Sequence, residues 1–474
     1  MLKIKWFDMK YAIIKTAMEE VCMIRKTIQT IADYLQASIH GCSNNETMIQ
    51  GVAIDSRQVK QGTLYIPMIG ARVDGHQFIE SVQKNGAAAS LWQKDHKPYP
   101  DFPVILVDDT QKALQDLARA YMNDLDCLVI GVTGSNGKTS CKDMLYSVFS
   151  PVVKTQKTEG NHNNEIGLPL TVLDLDEDVE VAILEMGMEG FDEISFLCSI
   201  AQPDISIITS IGSAHMETLG SKKGIARAKC EILEHTKAGG LFLYPNESEE
   251  IAEVLEEITY DSSIRLQAFG KGSKLCVEGD IEHRKDGISF MCSILEHKVE
   301  LNVLGDFQAD NALSVIYAAK ERGIQEEDIL KGLSHIQMTK MRTQRLTVKK
   351  AIIIDDTYKS NPESACVAID TLMNVPAPLH IAVFSDMLDL GPKENELHEQ
   401  VGQYALEKGV DAIYCVGPLS RYTVEGANDK GKWFENKEEL VSALKPFLEQ
   451  DCVMVIKGSR AMAMDTVVSD LQGE

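Results

Sequence analysis

At 474 residues the chain is too long for one ordinary hydrophobic core and points to roughly three domains. Its composition, 44% hydrophobic and 25% charged, predicts a soluble globular protein. The formal net charge of −24 argues against nucleic acid, whose phosphates are held by basic patches, yet a small polyanion needs only a local positive pocket.

Eleven cysteines are scattered without a Cys-x-x-Cys pair and read as reduced core residues rather than metal ligands. No run approaches the roughly eighteen apolar residues of a membrane helix, and the N-terminus lacks a signal-peptide core. No membrane insertion and a cytoplasmic location are therefore expected. Without a coiled coil or a long exposed apolar stripe, a monomer is expected too.

Residues 1–22 read as an appended extension, with Met23 as a second possible start. From Met23 to Val107 the pattern is that of a small α/β domain. Apolar residues at Ile28, Ile31, Ala32 and Leu35 predict a helix over Ile24 to Leu35. Gly51 to Arg57 and Gly62 to Pro67 read as short strands between polar turns, and Asp74-Gly75-His76 as a loop entering a helix through Phe78. Asp55, Ser56, Arg57 and His76 can hold a polar ligand there, although spacing alone favours ordinary turns.

A helix over Thr110 to Leu125 leads into a second domain, residues 108–335, whose apolar strands alternate with helices. Such alternation implies a parallel sheet with ligand loops at the strand C-terminal ends. Its first strand breaks at glycines and delivers Lys138-Thr139 into a helical pattern, a phosphate cradle in which Thr139 can ligate Mg²⁺. A strict P-loop would place a glycine at Val132, so Gly134 and Gly137 form a variant; the alternative is a strand-to-helix turn with a surface lysine. Glu185 ends another buried strand, where a carboxylate is costly unless it meets a cation, and a Mg²⁺ ligand is preferred over a helix cap. His215 follows the next strand at the same edge, where a lone histidine is more often structural than a ligand. Lys229 borders the inward face of a helix, and spacing alone reads it as a lysine snorkelling to solvent. A third domain, residues 336–474, repeats the strand-then-loop plan, with Asp355-Asp356 ending a buried strand before an Asn361-Pro362 turn.

In this order the motifs resemble those of the Mur ligases, the ATP-dependent amide-forming enzymes of bacterial cell-wall precursor synthesis. The resemblance runs from Met23 nearly to the end. It rests on Asp55-Ser-Arg57, Asp74-Gly-His76, Thr133-Gly-Ser-Asn-Gly-Lys-Thr139, Asn163-Asn-Glu-Ile-Gly167, Glu185-Met-Gly187, His215 and Ala226-Arg-Ala-Lys229. Met341-Arg342, Asp356-Thr-Tyr358, Asp386-Met387 with His398, and Lys457-Gly-Ser-Arg460 complete it. Two of these, Asn163 to Gly167 and Lys457 to Arg460, favour the member that joins D-alanyl-D-alanine to UDP-N-acetylmuramoyl-tripeptide.

The resemblance implies an α/β fold of three domains: a small N-terminal one for the UDP-substrate, a central P-loop-type parallel-sheet ATPase domain, and a C-terminal Rossmann-like domain. It implies that Gly134, Ser135, Asn136, Gly137, Lys138, Thr139, Ser140, Asn311, Arg342 and Asp356 bind ATP. Thr139 and Glu185 would hold one Mg²⁺, while His215 and a carbamylated Lys229 share a second; with Lys138 these form the catalytic set. Asp55, Ser56, Arg57, Asp74, His76, Asn163, Asn164, Tyr358 and Asn361 would contact the substrates. The chain departs from the family pattern at Phe307 and Gln308, where histidine and asparagine are usual, at Lys359, where asparagine follows the tyrosine, and at Gln344 and Ser385. These departures leave open a relative with a different amine substrate or a non-catalytic nucleotide-binding paralogue.

Overall fold

The computed structural model describes residues 23–388 and 390–473, so the expected N-terminal extension over 1–22 lies outside the described residues. The chain separates into two compact units, the first running to Cys127 and regaining Glu165–Glu180, the second holding Leu128–Asn164 and Val181 onward.

In the first unit, β1 (Arg25–Thr27) pairs antiparallel with β3 (Met48–Gln50). The helix expected from Ile24 therefore starts only at Ile28, where the Thr27 hydroxyl accepts from Thr30 N–H as its cap. Between them lies β2 (Ser38–His40), and the other strands are β4 (Val52–Ala53), β5 (Leu64–Tyr65), β6 (Ala89–Gln93) and β7 (Val104–Val107). They form one sheet in the order β2-β7-β6-β5-β4, parallel except for β2. The helix Thr110–Asp124 buries Leu114, Leu117, Ala118 and Tyr121 within this same unit, and the Tyr121 hydroxyl donates to the Leu175 carbonyl at 2.7 Å.

The second unit opens with β8 (Leu128–Thr133), followed by β9 (Thr155–Lys157), β10 (Val181–Glu185), β11 (Ile205–Ile208), β12 (Leu241–Pro245) and β13 (Arg265–Phe269). All are parallel, in the order β13-β12-β11-β8-β10-β9. The chain leaves β8 toward β9 and β10 and then crosses to β11 on the other side. The C-terminal end of β8 is thus a topological switch point, where loops diverge and leave a crevice.

Next come β14 (Val277–Arg284), β15 (Gly287–Cys292) and β16 (Val299–Leu301), an antiparallel sheet the sequence patterning did not disclose. Its Ile288, Phe290, Val299 and Leu301 share an apolar cluster with Ile130, Leu145 and Leu313. A last sheet comprises β17 (Gln344–Val348), β18 (Ala351–Asp356), β19 (His380–Ser385), β20 (Ala412–Val416), β21 (Gly431–Phe434) and β22 (Val453–Lys457). Its order is β17-β18-β22-β19-β20-β21, with only β17 antiparallel, and apolar clusters cover both faces. Because β22 returns between β18 and β19, this sheet has its own switch point, with Asp356 and Lys457 in register beside it.

Candidate active site

The loop after β8 is held by the elements on either side of it. Gly134 adopts φ +148°, and a Cβ there would stand 2.0 Å from Thr209 Oγ1. Gly137, at φ +86°, starts the helix Lys138–Phe149 from a left-handed conformation. The amides of Ser135 and Asn136 both donate to Ser210, to its carbonyl and its hydroxyl at 2.9 Å each. The amides that turn toward an anion are consequently those of the helix's first turn, which have no intrahelical acceptor. The Lys138 ammonium donates to the Gly134 carbonyl at 2.7 Å, and burial pulls its pKa down to about 8.

Across the switch point, Glu185 is only 1% exposed. Thr139 Oγ1 donates to its Oε2 at 2.9 Å and Asn163 Nδ2 to its Oε1 at 2.8 Å. This carboxylate is fixed by its own backbone too, since Glu185 N–H donates to Thr158 Oγ1 at 3.0 Å. A threonine hydroxyl and an aimed carboxylate are the hard oxygen donors that magnesium prefers.

Basic groups gather on the same edge. His215 has left-handed backbone (φ 67°), and burial, then the charges of Lys359, Lys229 and Lys138, hold its imidazole down near pKa 4. Lys229 does not snorkel: it is 2% exposed, and burial followed by Lys138 and Lys359 drives its pKa well below the usual lysine range. No carboxylate among the described residues pairs with it. An ammonium so placed does not suit a metal; the same side chain carrying a carboxylate would.

From the last sheet, Lys457 Nζ binds Asp356 Oδ2 at 2.5 Å and the Lys359 carbonyl at 2.8 Å. Thr343 N–H donates to Asp356 Oδ1 at 3.1 Å, and the Arg342 guanidinium lies 3.7 Å over the Tyr358 ring. Asn361 is occupied as a helix cap, exchanging hydrogen bonds with Ser364. Asn311 packs on the cradle: a Cβ at Gly137 would meet its Oδ1 at 2.9 Å, and its Nδ2 donates to Gln308 Oε1 at 3.0 Å. Gln308, one of the departures, reaches on to Ser140 Oγ at 3.5 Å. Asn164 is exposed beside Asn163.

The first unit holds the remaining expected residues. Arg57 grips Asp55 at 2.6 Å and pulls its carboxyl down to about 2, and the Ser56 carbonyl accepts from Asn85 Nδ2 at 3.2 Å. Asp74 Oδ1 accepts from His76 Nδ1 at 2.7 Å. Tyr65 joins the two turns: its hydroxyl donates to the Gly75 carbonyl at 3.0 Å, and burial, then Asp55 and Asp74, push its pKa up to about 12. Asp74, His76 and His96 bring ligand atoms within 4.8 Å of one another, but the imidazoles stack at 15°, so their lone pairs do not converge on one ion.

Three family models match the chain: the Mur ligase family catalytic domain over residues 48–122, the Mur ligase middle domain over 132–319, and the Mur ligase glutamate ligase domain over 341–460. A relative from Bacillus subtilis (strain 168), UDP-N-acetylmuramoyl-tripeptide--D-alanyl-D-alanine ligase, is 36% identical over 457 residues, covering 95% of this chain and 99% of its own. The chain belongs to the Mur ligase family.

As a Mur ligase it also superposes on solved relatives along nearly its whole length. MurF from Acinetobacter baumannii is 29% identical with a TM-score of 0.87, covering 96% of this chain and all of that one. A MurF ligase from Thermotoga maritima in complex with ADP is 26% identical with a TM-score of 0.79, covering 90% and 97%. Several residues of this Mur ligase site carried no sequence signal of their own. Thr158 and Ser210 act by holding other groups, and that role emerges only once strands β10 and β11 bring distant residues together.

Proposed function

We propose that the chain joins UDP-N-acetylmuramoyl-tripeptide to D-alanyl-D-alanine, with ATP converted to ADP and phosphate through an acyl phosphate. The observation that carries this reading is the Thr139–Glu185 contact at the foot of a glycine-turned phosphate cradle, in a chain so like the Bacillus subtilis ligase from end to end.

A carboxylate does not condense with an amine in water unless its oxygen is first made a leaving group. Phosphorylation by ATP does this, and catalysis then consists of positioning and charge stabilisation. The first turn of the helix after β8 and Lys138 hold the phosphates, while Asn311, Arg342 and Asp356 bind the rest of the nucleotide. Thr139 and Glu185 hold one magnesium ion, which when bound neutralises phosphate oxygens. Burial drives the pKa of Lys229 well below the usual lysine range, which favours uptake of carbon dioxide by the amine, and the resulting carbamate would supply an oxygen ligand beside His215 for a second ion. Asp55, Ser56, Arg57, Asp74 and His76 receive the UDP-substrate, and Asn163, Asn164, Tyr358 and Asn361 line the path of the peptide groups. Among the described residues no helix is long and apolar enough to cross a membrane, and the reading places the chain in the cytoplasm as a monomer.

The test is a competition of amines. With ATP, magnesium and UDP-N-acetylmuramoyl-tripeptide supplied, D-alanyl-D-alanine should outcompete single amino acids and L-dipeptides in product formation. Preference for a single amino acid would identify a relative with another acceptor.

A further inference from the structure

Lys359 lies on the connection between β18 and the helix Pro362–Asn374 and is an exposed residue. Three contacts fix where this connection runs. Lys457, while pairing with Asp356, donates to the Lys359 carbonyl at 2.8 Å. Two residues on, Asn361 closes its capping box. Glu363 then contacts the Ser213 hydroxyl, laying the connection against the loop that presents His215.

This placement brings a charge to an edge already rich in cations. The field of Lys359 reaches Lys138 on the cradle, His215 after β11 and Lys229 on the helix Lys222–Glu234. Glu185 is the carboxylate that faces Lys138 from this edge. Gathering like charges on a partly desolvated edge is unfavourable and is relieved by a polyanion. Lys229 is buried at 2% exposure, whereas Lys359 is an exposed residue.

We propose that Lys359 is a further catalytic residue, whose ammonium holds a non-bridging oxygen of the phosphoryl group as it passes from ATP to the substrate carboxylate. The inference rests on the ligase reading above. In that step the P–O bond to ADP breaks while a P–O bond to the carboxylate oxygen forms. The amine nitrogen later bonds to the acyl carbon, the C–O bond to phosphate breaks, and the amine's proton passes to water. Lys359 keeps its own proton throughout and contributes charge where charge develops.

The experiment compares full-length wild type, Lys359→Ala and Lys359→Arg in steady-state turnover with ATP, magnesium, UDP-N-acetylmuramoyl-tripeptide and D-alanyl-D-alanine, and in ADP binding by calorimetry. Lys359→Ala should lose about a hundredfold in kcat, with ADP affinity changed less than about threefold, and Lys359→Arg should recover at least about tenfold of the loss. A Lys359→Ala kcat within about threefold of wild type, or a loss confined to KM for the dipeptide, overturns the inference. An inactive wild type overturns the ligase reading with it; an active wild type with an unaffected variant overturns this inference alone.

Discussion

Thr139 Oγ1 donates to Glu185 Oε2 at 2.9 Å, tying the first turn of the helix after β8 to the end of the neighbouring strand β10. Glu185→Gln keeps an acceptor for Thr139 while removing the charge. We predict a fall in phosphate release of about a hundredfold or more, a raised magnesium requirement, and a melting temperature no lower than wild type, because a buried carboxylate is itself costly. Unchanged magnesium dependence in this variant would show that Glu185 is not a ligand.

Gly134→Ala acts on the cradle. Its methyl group would stand 2.0 Å from Thr209 Oγ1, at a φ that side chains rarely adopt. Calorimetry should show ADP affinity reduced by about tenfold or more, as the loop shifts to relieve the clash. Wild-type affinity would mean that the loop geometry does not govern nucleotide binding.

The Asp356–Lys457 pair joins two strand ends, and Lys457 is 2% exposed. Lys457→Met leaves Asp356 without its cation and frees the Lys359 carbonyl. Urea unfolding should report a loss of about 3 kcal/mol, the usual result of removing one partner from a buried pair. A loss below about 1 kcal/mol would place the pair among weak surface bridges.

His398 is buried and neutral: Met387 N–H donates to its Nε2 at 2.9 Å, and its Nδ1 donates to the Glu394 carbonyl at 2.7 Å. Burial lowers its pKa from the ordinary 6.5. As pH falls through that value the unfolded chain takes up a proton that folded His398 resists, so stability present above it is lost below it. Melting at about pH 7.5 and pH 5.5 should show a larger acid-side loss in wild type than in His398→Gln, which can still accept from Met387 but does not titrate. Equal losses would assign the pH sensitivity to other groups.

Much of this site was legible along the chain because its residues sit where buried parallel strands end. Apolar runs located β8, β10, β11, β18 and β22; Glu185 and Asp356 end two of these strands, and Lys138 and His215 follow two others. Less legible were features made by pairing across the sequence. The β14-β15-β16 sheet escaped notice because β14 is mostly solvated and its register slips between Glu278 and Glu282. Arg25 to Thr27 looked helical because three residues show no period, and only pairing with Met48–Gln50 makes them a strand. Lys229 was misread by spacing for a related reason: a helix face shows which way a lysine points, not what covers it.

The most direct test is phosphate release by the purified chain with ATP, magnesium, UDP-N-acetylmuramoyl-tripeptide and D-alanyl-D-alanine, with the peptide product followed in parallel. Phosphate and amide should form one for one, and release should stop when any substrate is withheld. No release with all present, or release that continues without the dipeptide and yields no amide, would contradict the ligase reading.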